Sequence, residues 1–209
     1  MTHPIKGIVA VSAAALFLSG CDSWFSSDEG TDTSSSQGTQ STSGGTGASF
    51  DDQFLLIDDL NFELSELSNT PSDQMRDSGT ATYEGVVGFS NDSPAVSISD
   101  YDMMSDLTLQ ADFGTGAMTG TMDNFNTRGD VDMDGSLTLT EGEIKGTNFT
   151  ANAIGSFTDG TDAEIWDLEV VADFIGANGS AIEGTAQGTI SNGGSVTTEV
   201  FGDMMAVEN

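Results

Sequence analysis

The first periodic stretch of the chain has apolar residues at spacings of three and four, the pattern of an amphipathic helix. Ser49 and Asp52 fit a capping box at its start, while Asn69 and Pro71 supply a stop. The acidic residues of this stretch fall mostly on the opposite face. We therefore predict one amphipathic helix over 49–70 that packs on the elements following it. Its apolar face consists of Phe50, Phe54, Ile57, Leu60, Leu64 and Leu67.

From residue 76 onward, short segments alternate apolar and polar residues, as half-buried β-strands do. Glycine-rich stretches at 114–116, 176–179 and 192–194 provide turns between them. A barrel that closes on itself removes the exposed edges that so long a sheet would otherwise carry. We therefore predict an all-β domain over 76–209, a single eight-stranded antiparallel up-and-down barrel. The predicted strands are 80–89, 107–113, 117–125, 136–140, 146–157, 165–174, 181–190 and 195–201.

The N-terminus has the features of a secretory signal: a basic residue at Lys6, a short apolar run and small residues before Cys21. Leu18, Ser19 and Gly20 before that cysteine resemble the bacterial lipobox. The resemblance implies that residues 1–20 are removed and that Cys21 is lipidated, holding the chain on a lipid bilayer. Residues 21–48 are almost entirely Ser, Thr, Gly, Asp and Gln, so we predict a flexible, disordered linker between anchor and domain.

Charge excludes whole classes of function. The chain has 34 acidic residues against 4 basic ones, a formal net charge of -30. Such a chain repels phosphate backbones, so it does not bind nucleic acid, and its partner is expected to carry a basic patch. Removal of the signal also removes the one histidine, and the one cysteine is the acylated one. Ser-His-Asp triads, Cys-His pairs and histidine-ligated zinc are then impossible, and we predict a protein that is not an enzyme.

One acidic segment, 130–141, has the spacing of an EF-hand calcium loop, with Asp at positions 1, 3 and 5, Gly at 6 and Glu at 12. The candidate Ca²⁺ ligands are Asp130, Asp132, Asp134, Ser136 and Glu141. The flanking sequence is not helical, however, and 136–140 also fits a strand that follows an Asp-Gly hairpin turn at 134–135. Two interpretations follow: a calcium site on a non-helical loop, or an acidic, solvated turn.

Three glycine-rich segments carry a family resemblance: Ser-Gly-Thr-Ala-Thr-Tyr-Glu-Gly at 78–85, Ala-Asp-Phe-Gly-Thr-Gly-Ala-Met-Thr-Gly at 111–120 and the hairpins of 176–202. They resemble the small eight-stranded barrel of the transferrin-binding protein B type, over a region from Met75 to the C-terminus. The resemblance implies a bacterial surface lipoprotein that binds host proteins or nutrients. Full-length members pair each barrel with a handle domain, for which this chain has no room, so transferrin itself is not the expected ligand.

Two functions therefore stand as alternatives. The first is a lipoprotein of the outer membrane, exposed at the cell surface, that binds a protein or nutrient ligand without catalysis. The second is a periplasm-facing carrier, stabilised by calcium at 130–141, that holds a small ligand inside the barrel, as lipocalin-type barrels do.

Overall fold

A computed structural model describes residues 47–129, 131–158, 163–192 and 195–209. Within these residues one helix precedes eight strands, and the strands close into an antiparallel barrel in which each pairs with the next and the last pairs with the first. The predicted fold is therefore confirmed. The elements are α1 (Phe50–Leu64), β1 (Thr80–Asn91), β2 (Met103–Asp112), β3 (Ala117–Thr127), β4 (Asp132–Lys145), β5 (Asn148–Thr158), β6 (Ala163–Ile175), β7 (Ala181–Asn192) and β8 (Ser195–Glu208).

Helix α1 begins as predicted but ends earlier. Ser49 and Asp52 form the capping box, yet the helix stops at Leu64 instead of continuing to residue 70. The chain beyond it binds the barrel through its backbone: the Thr70 N–H donates to the Phe174 carbonyl at 3.0 Å. This backbone pairing with the barrel replaces further helical turns. As a result Leu67, which was predicted to lie on the buried face of the helix, is 41% exposed. In the described part of the chain, no helix combines the length and apolar character that crossing a bilayer requires.

Strand β4 is longer than predicted, and the Asp-Gly pair at 134–135 does not form the hairpin turn. The strand already begins at Asp132, and Gly135 lies inside it, opposite Phe157. Gly135 has a φ of +146°, and a Cβ there would come within 2.2 Å of the Ser156 carbonyl oxygen. The glycine thus permits a close approach of β4 to β5 instead of a reversal of the chain. Of the predicted turn at 192–194, residues 193 and 194 lie outside the described residues.

The barrel interior is filled by large side chains. Trp166 packs edge-on against Phe89 and Phe157, with ring centroids 5.5 and 5.2 Å apart, and Phe125 lies 4.2 Å from Phe157. All four side chains are at most 1% exposed. Tyr83, Phe149 and Phe174 fill the barrel further along its axis and are 0% exposed. Rings in contact leave no room between them, so the interior has the character of a packed core at these levels.

Helix α1 lies on the outer wall, over strands β1, β2 and β8. Its buried residues Ile57, Leu60 and Leu64 pack in a second apolar cluster with outward-facing Val86 and Met104 of the barrel. The helix also buries Gln53 completely. A buried amide requires hydrogen-bond partners, and the Gln53 side chain donates to Asp106 and to the Asn124 carbonyl and accepts from Asn126.

Candidate functional site

The structure does not bring the described members of the predicted calcium loop together. Asp132, Asp134 and Ser136 lie exposed along strand β4, and Glu141 follows further along it with a φ of +55°. At about 3.3 Å per residue, Asp132 and Glu141 are separated by on the order of 25–30 Å. Asp130 and Cys21 lie outside the described residues. Among described residues, no group of three or more His, Cys, Asp or Glu side chains is placed to hold a metal ion.

A groove of about 540 Å³ lies on the outer wall of strands β6 to β8, and we call it groove A. The loop between β1 and β2 forms one side, with Val96 95% exposed at the rim. Asn61 of α1 and Asn69 contribute to the lining. Its surface combines apolar and acidic side chains: Ala95, Ile98, Val171, Ile175 and Met205 with Asp173, Glu183 and Asp203.

The acidic side chains of groove A are placed by the strand register. Asp173 of β6 lies directly opposite Glu183 of β7, and Asp203 of β8 lies opposite Thr185 of β7. Like charges directly opposite each other on neighbouring strands destabilise a sheet. The free protein therefore carries an electrostatic cost at this position that a bound cation would relieve.

Tyr101 fixes the third carboxylate of groove A. Its side chain is 4% exposed, and the phenolic O–H donates a hydrogen bond of 2.8 Å to Asp203 Oδ2. Burial, followed by this hydrogen bond to a carboxylate, raises the pKa of Tyr101 above its ordinary value. The tyrosine consequently stays protonated and remains a donor to Asp203 under physiological conditions.

The basic side chains in the described part of the chain are engaged away from the groove A carboxylates. Arg76 forms a two-point ion pair with Glu208, and Lys145 lies 2.8 Å from Glu143. Arg128 donates to the carbonyl oxygens of Ser99 and Tyr101 and lies over the ring of Phe50. Arg128 thereby anchors the chain beside the groove wall instead of neutralising Asp173, Glu183 or Asp203.

Sequence reasoning did not single out groove A, although part of its signal was present. Along β6, every second residue is buried from Trp166 to Phe174, so the residues between them face outward. These outward positions are Asp167, Glu169, Val171 and Asp173, an acidic ladder that alternation alone reveals. That Asp173 faces Glu183 can be predicted only from the register of β6 and β7. That Tyr101 contacts Asp203 can be predicted only from the closed barrel.

No family model matches the sequence, and no curated protein matches it. Solved structures of Transferrin Binding Protein B are similar to this chain. A double mutant of the Haemophilus parasuis Hp5 protein gives a TM-score of 0.46 at 17% identity, covering 68% of this chain and 28% of that one. Intact Ap-TbpB, with N and C lobes, gives a TM-score of 0.45 at 18% identity and also covers 68% of this chain and 28% of that one.

The isotype 1 protein from serogroup B Neisseria meningitidis gives a TM-score of 0.43 at 15% identity, again covering 68% of this chain and 28% of that one. The chain therefore spans less than a third of the length of each of these proteins. Transferrin-binding protein B is also the type that the glycine-rich segments of the sequence resemble, and the similarity concerns the fold.

Proposed function

We propose that this chain is a lipoprotein anchored through Cys21 in the outer membrane and exposed at the cell surface, where it binds a basic protein ligand without catalysis. The observation that carries the proposal is groove A, where Asp173, Glu183 and Asp203 stand beside apolar side chains with no basic side chain of the described chain among them. Complementary charge is the property that speeds encounter with a partner and selects it.

The filled interior supports an external binding site. A ligand inside the barrel would have to displace Trp166 and the phenylalanines that pack against it, at the cost of the core. The outer wall needs no such rearrangement. Because binding is driven in part by charge, the association rate should fall as salt concentration rises.

A second candidate is a periplasm-facing carrier of a small ligand. The volume of groove A, about 540 Å³, is typical of small-molecule sites, and this observation favours it. The carrier would then hold its ligand on the outer wall, and the carboxylates would select a cationic one.

Photo-crosslinking in living cells tests the proposal. A photoreactive residue replaces Thr185, which lies exposed on β7 in groove A, and the matched control replaces Thr121, which lies exposed on β3 across the barrel. The proposal predicts a protein adduct at position 185 that disappears in about 0.5 M NaCl, where charge is strongly screened, and none at 121. Absence of a protein adduct at 185, or equal adducts at both positions, contradicts it.

A further inference from the structure

A second groove, which we call groove B, lies where helix α1 meets strands β1 to β3. It encloses about 500 Å³. Leu56 and Leu60 of the helix and Val207 of β8 give it an apolar wall, and Leu56 is 42% exposed there. A partly exposed leucine beside a groove is a surface that an apolar segment of another molecule can cover.

The other side of groove B is acidic. Asp106 of β2 lies directly opposite Asp123 of β3, and Glu84 of β1 completes the lining. This is the second pair of like charges that face each other across neighbouring strands, after Asp173 and Glu183. Among the residues that the structure describes, none that lines groove B is basic. Its charge therefore complements a cation with an apolar body.

Asp106 is held in one orientation by two side-chain amides, one from the buried Gln53 and one from the half-buried Asn124. The Gln53 Nε2 donates to Asp106 Oδ1 at 2.7 Å, and the Asn124 Nδ2 donates to Asp106 Oδ2 at 2.9 Å. Each carboxylate oxygen has two lone pairs, so each keeps capacity for one more donor. Gln53 is itself fixed, because its Oε1 accepts from Asn126, which is 3% exposed. The carboxylate is thus oriented before any ligand arrives, which lowers the entropic cost of binding.

Asp123 has no such support. In the described part of the structure its side chain has no hydrogen-bond or ion-pair partner. Asp123 is exposed, and partial desolvation of its carboxyl group, followed by the charge of the neighbouring Asp106, raises the pKa of Asp123. A cation between the two side chains would complete the ion pairs that the chain itself leaves open.

We propose that groove B receives one arginine side chain of the protein partner, with its guanidinium between Asp106 and Asp123 and its methylene stem against Leu56 and Leu60. A planar guanidinium offers five N–H donors in a fork, so it can serve two carboxylates that face each other. The stem supplies apolar area for the helix wall. The partner class rests on the proposed function, whereas the chemistry of the pocket rests on groove B alone.

The test uses the full chain with labelled methyl groups and a defined probe, the dipeptide N-acetyl-leucyl-arginine amide. Its control replaces arginine by citrulline, which keeps the shape and removes the charge. We expect the arginine probe to shift the methyl resonances of Leu56 and Leu60 and the citrulline probe to leave them in place. Equal shifts with both probes, or no shift of these methyls, overturns the proposal.

Three variants identify which carboxylates bind the arginine probe. Asp123→Asn removes a charge without breaking a hydrogen bond of the free protein, and Asp106→Asn removes the oriented carboxylate. Each should raise the Kd of the arginine probe about tenfold or more, the usual effect of losing a charged hydrogen-bond partner. Glu169→Gln, outside both grooves, is the matched control and should change the Kd by less than about twofold, as distant surface charges do. A Kd in Asp123→Asn no higher than in Glu169→Gln overturns the proposal.

The outcomes separate groove B from the proposed function. If the probe shifts Val96 and Ile98 but not Leu56 and Leu60, groove A binds the basic ligand and the assignment of arginine to groove B is wrong. If Leu56 and Leu60 respond while crosslinking at Thr185 fails, groove B binds arginine and the assignment of the partner to groove A is wrong.

Discussion

The substitution Glu183→Gln should make the free protein more stable and a worse binder. Glu183 and Asp173 face each other across β6 and β7. Glutamine keeps the size of the side chain and removes one of the two charges. Both expected effects follow from the same repulsion, because the pair costs free energy until a cation sits beside it.

The magnitude follows from the register. Directly opposite residues have Cβ atoms about 5 Å apart, and cross-strand pairs of this kind contribute roughly 0.2–1 kcal/mol. Coulomb's law gives roughly 0.8 kcal/mol for unit charges at that distance in a water-like medium, before salt screening lowers it. We therefore expect Glu183→Gln to raise the free energy of unfolding by about 0.5 kcal/mol, equivalent to about 1–2 °C in Tm for a domain of this size.

The assay is urea denaturation at low salt and at about 1 M NaCl, where the screening length falls to about 3 Å. The matched control is Glu169→Gln, because Glu169 lies opposite Gln187 and Asn152 instead of another acid. Glu183→Gln should exceed this control in stability at low salt, and the difference should vanish at high salt. If both variants have the same stability at low salt, the repulsion between Asp173 and Glu183 is not the cost we derive.

Three further predictions concern the core, the buried amide and one carboxyl group. Trp166→Ala should lower the free energy of unfolding by about 3–5 kcal/mol in calorimetry while leaving partner affinity unchanged, since the ligand binds outside; a parallel loss of affinity in the folded variant would argue for an internal site. Gln53→Ala should cost about 1–3 kcal/mol because it removes the donor to Asp106 and the acceptor of Asn126, and a neutral result in urea denaturation would refute the role of this amide. The pKa of Asp123 is higher in the folded state than in the unfolded state. Protonated Asp123 therefore stabilises the folded protein below the unfolded-state pKa of about 3.9. This stabilisation is lost as pH rises through the folded-state pKa. Asp123→Asn should therefore gain stability over the wild type as pH rises from about 3.5 to about 7, and a gap that narrows over this range would contradict the shift.

The barrel could be predicted from sequence because each strand carries its own signal. In β6 the apolar residues from Trp166 to Phe174 stand at every second position, and all of them face the core. That alternation is local, so it needs no knowledge of the neighbouring strand. The apolar face of α1 follows likewise from the spacing of Phe50, Ile57, Leu60 and Leu64.

The grooves could not be predicted, because they depend on which residues stand opposite each other. Register shifts interrupt the pairing of β2 with β3 after Met104 and of β7 with β8 after Ile190, and alternation within one strand does not reveal them. The contact from Tyr101 to Asp203 joins residues 102 positions apart. The end of α1 was missed for the same reason, since the backbone partner of Thr70 is Phe174 on a distant strand.

Protease treatment of intact cells tests the central claim, a barrel anchored through Cys21 and exposed at the cell surface, most directly. Proteinase K suits the experiment because residues 22–48 contain no lysine or arginine for trypsin, and Cys21→Ala is the control that lacks the anchor. The proposal predicts that the domain beyond residue 48 is released from whole cells that carry the wild-type chain. A domain that survives until the outer membrane is broken contradicts surface exposure and leaves the periplasm-facing carrier as the account to pursue.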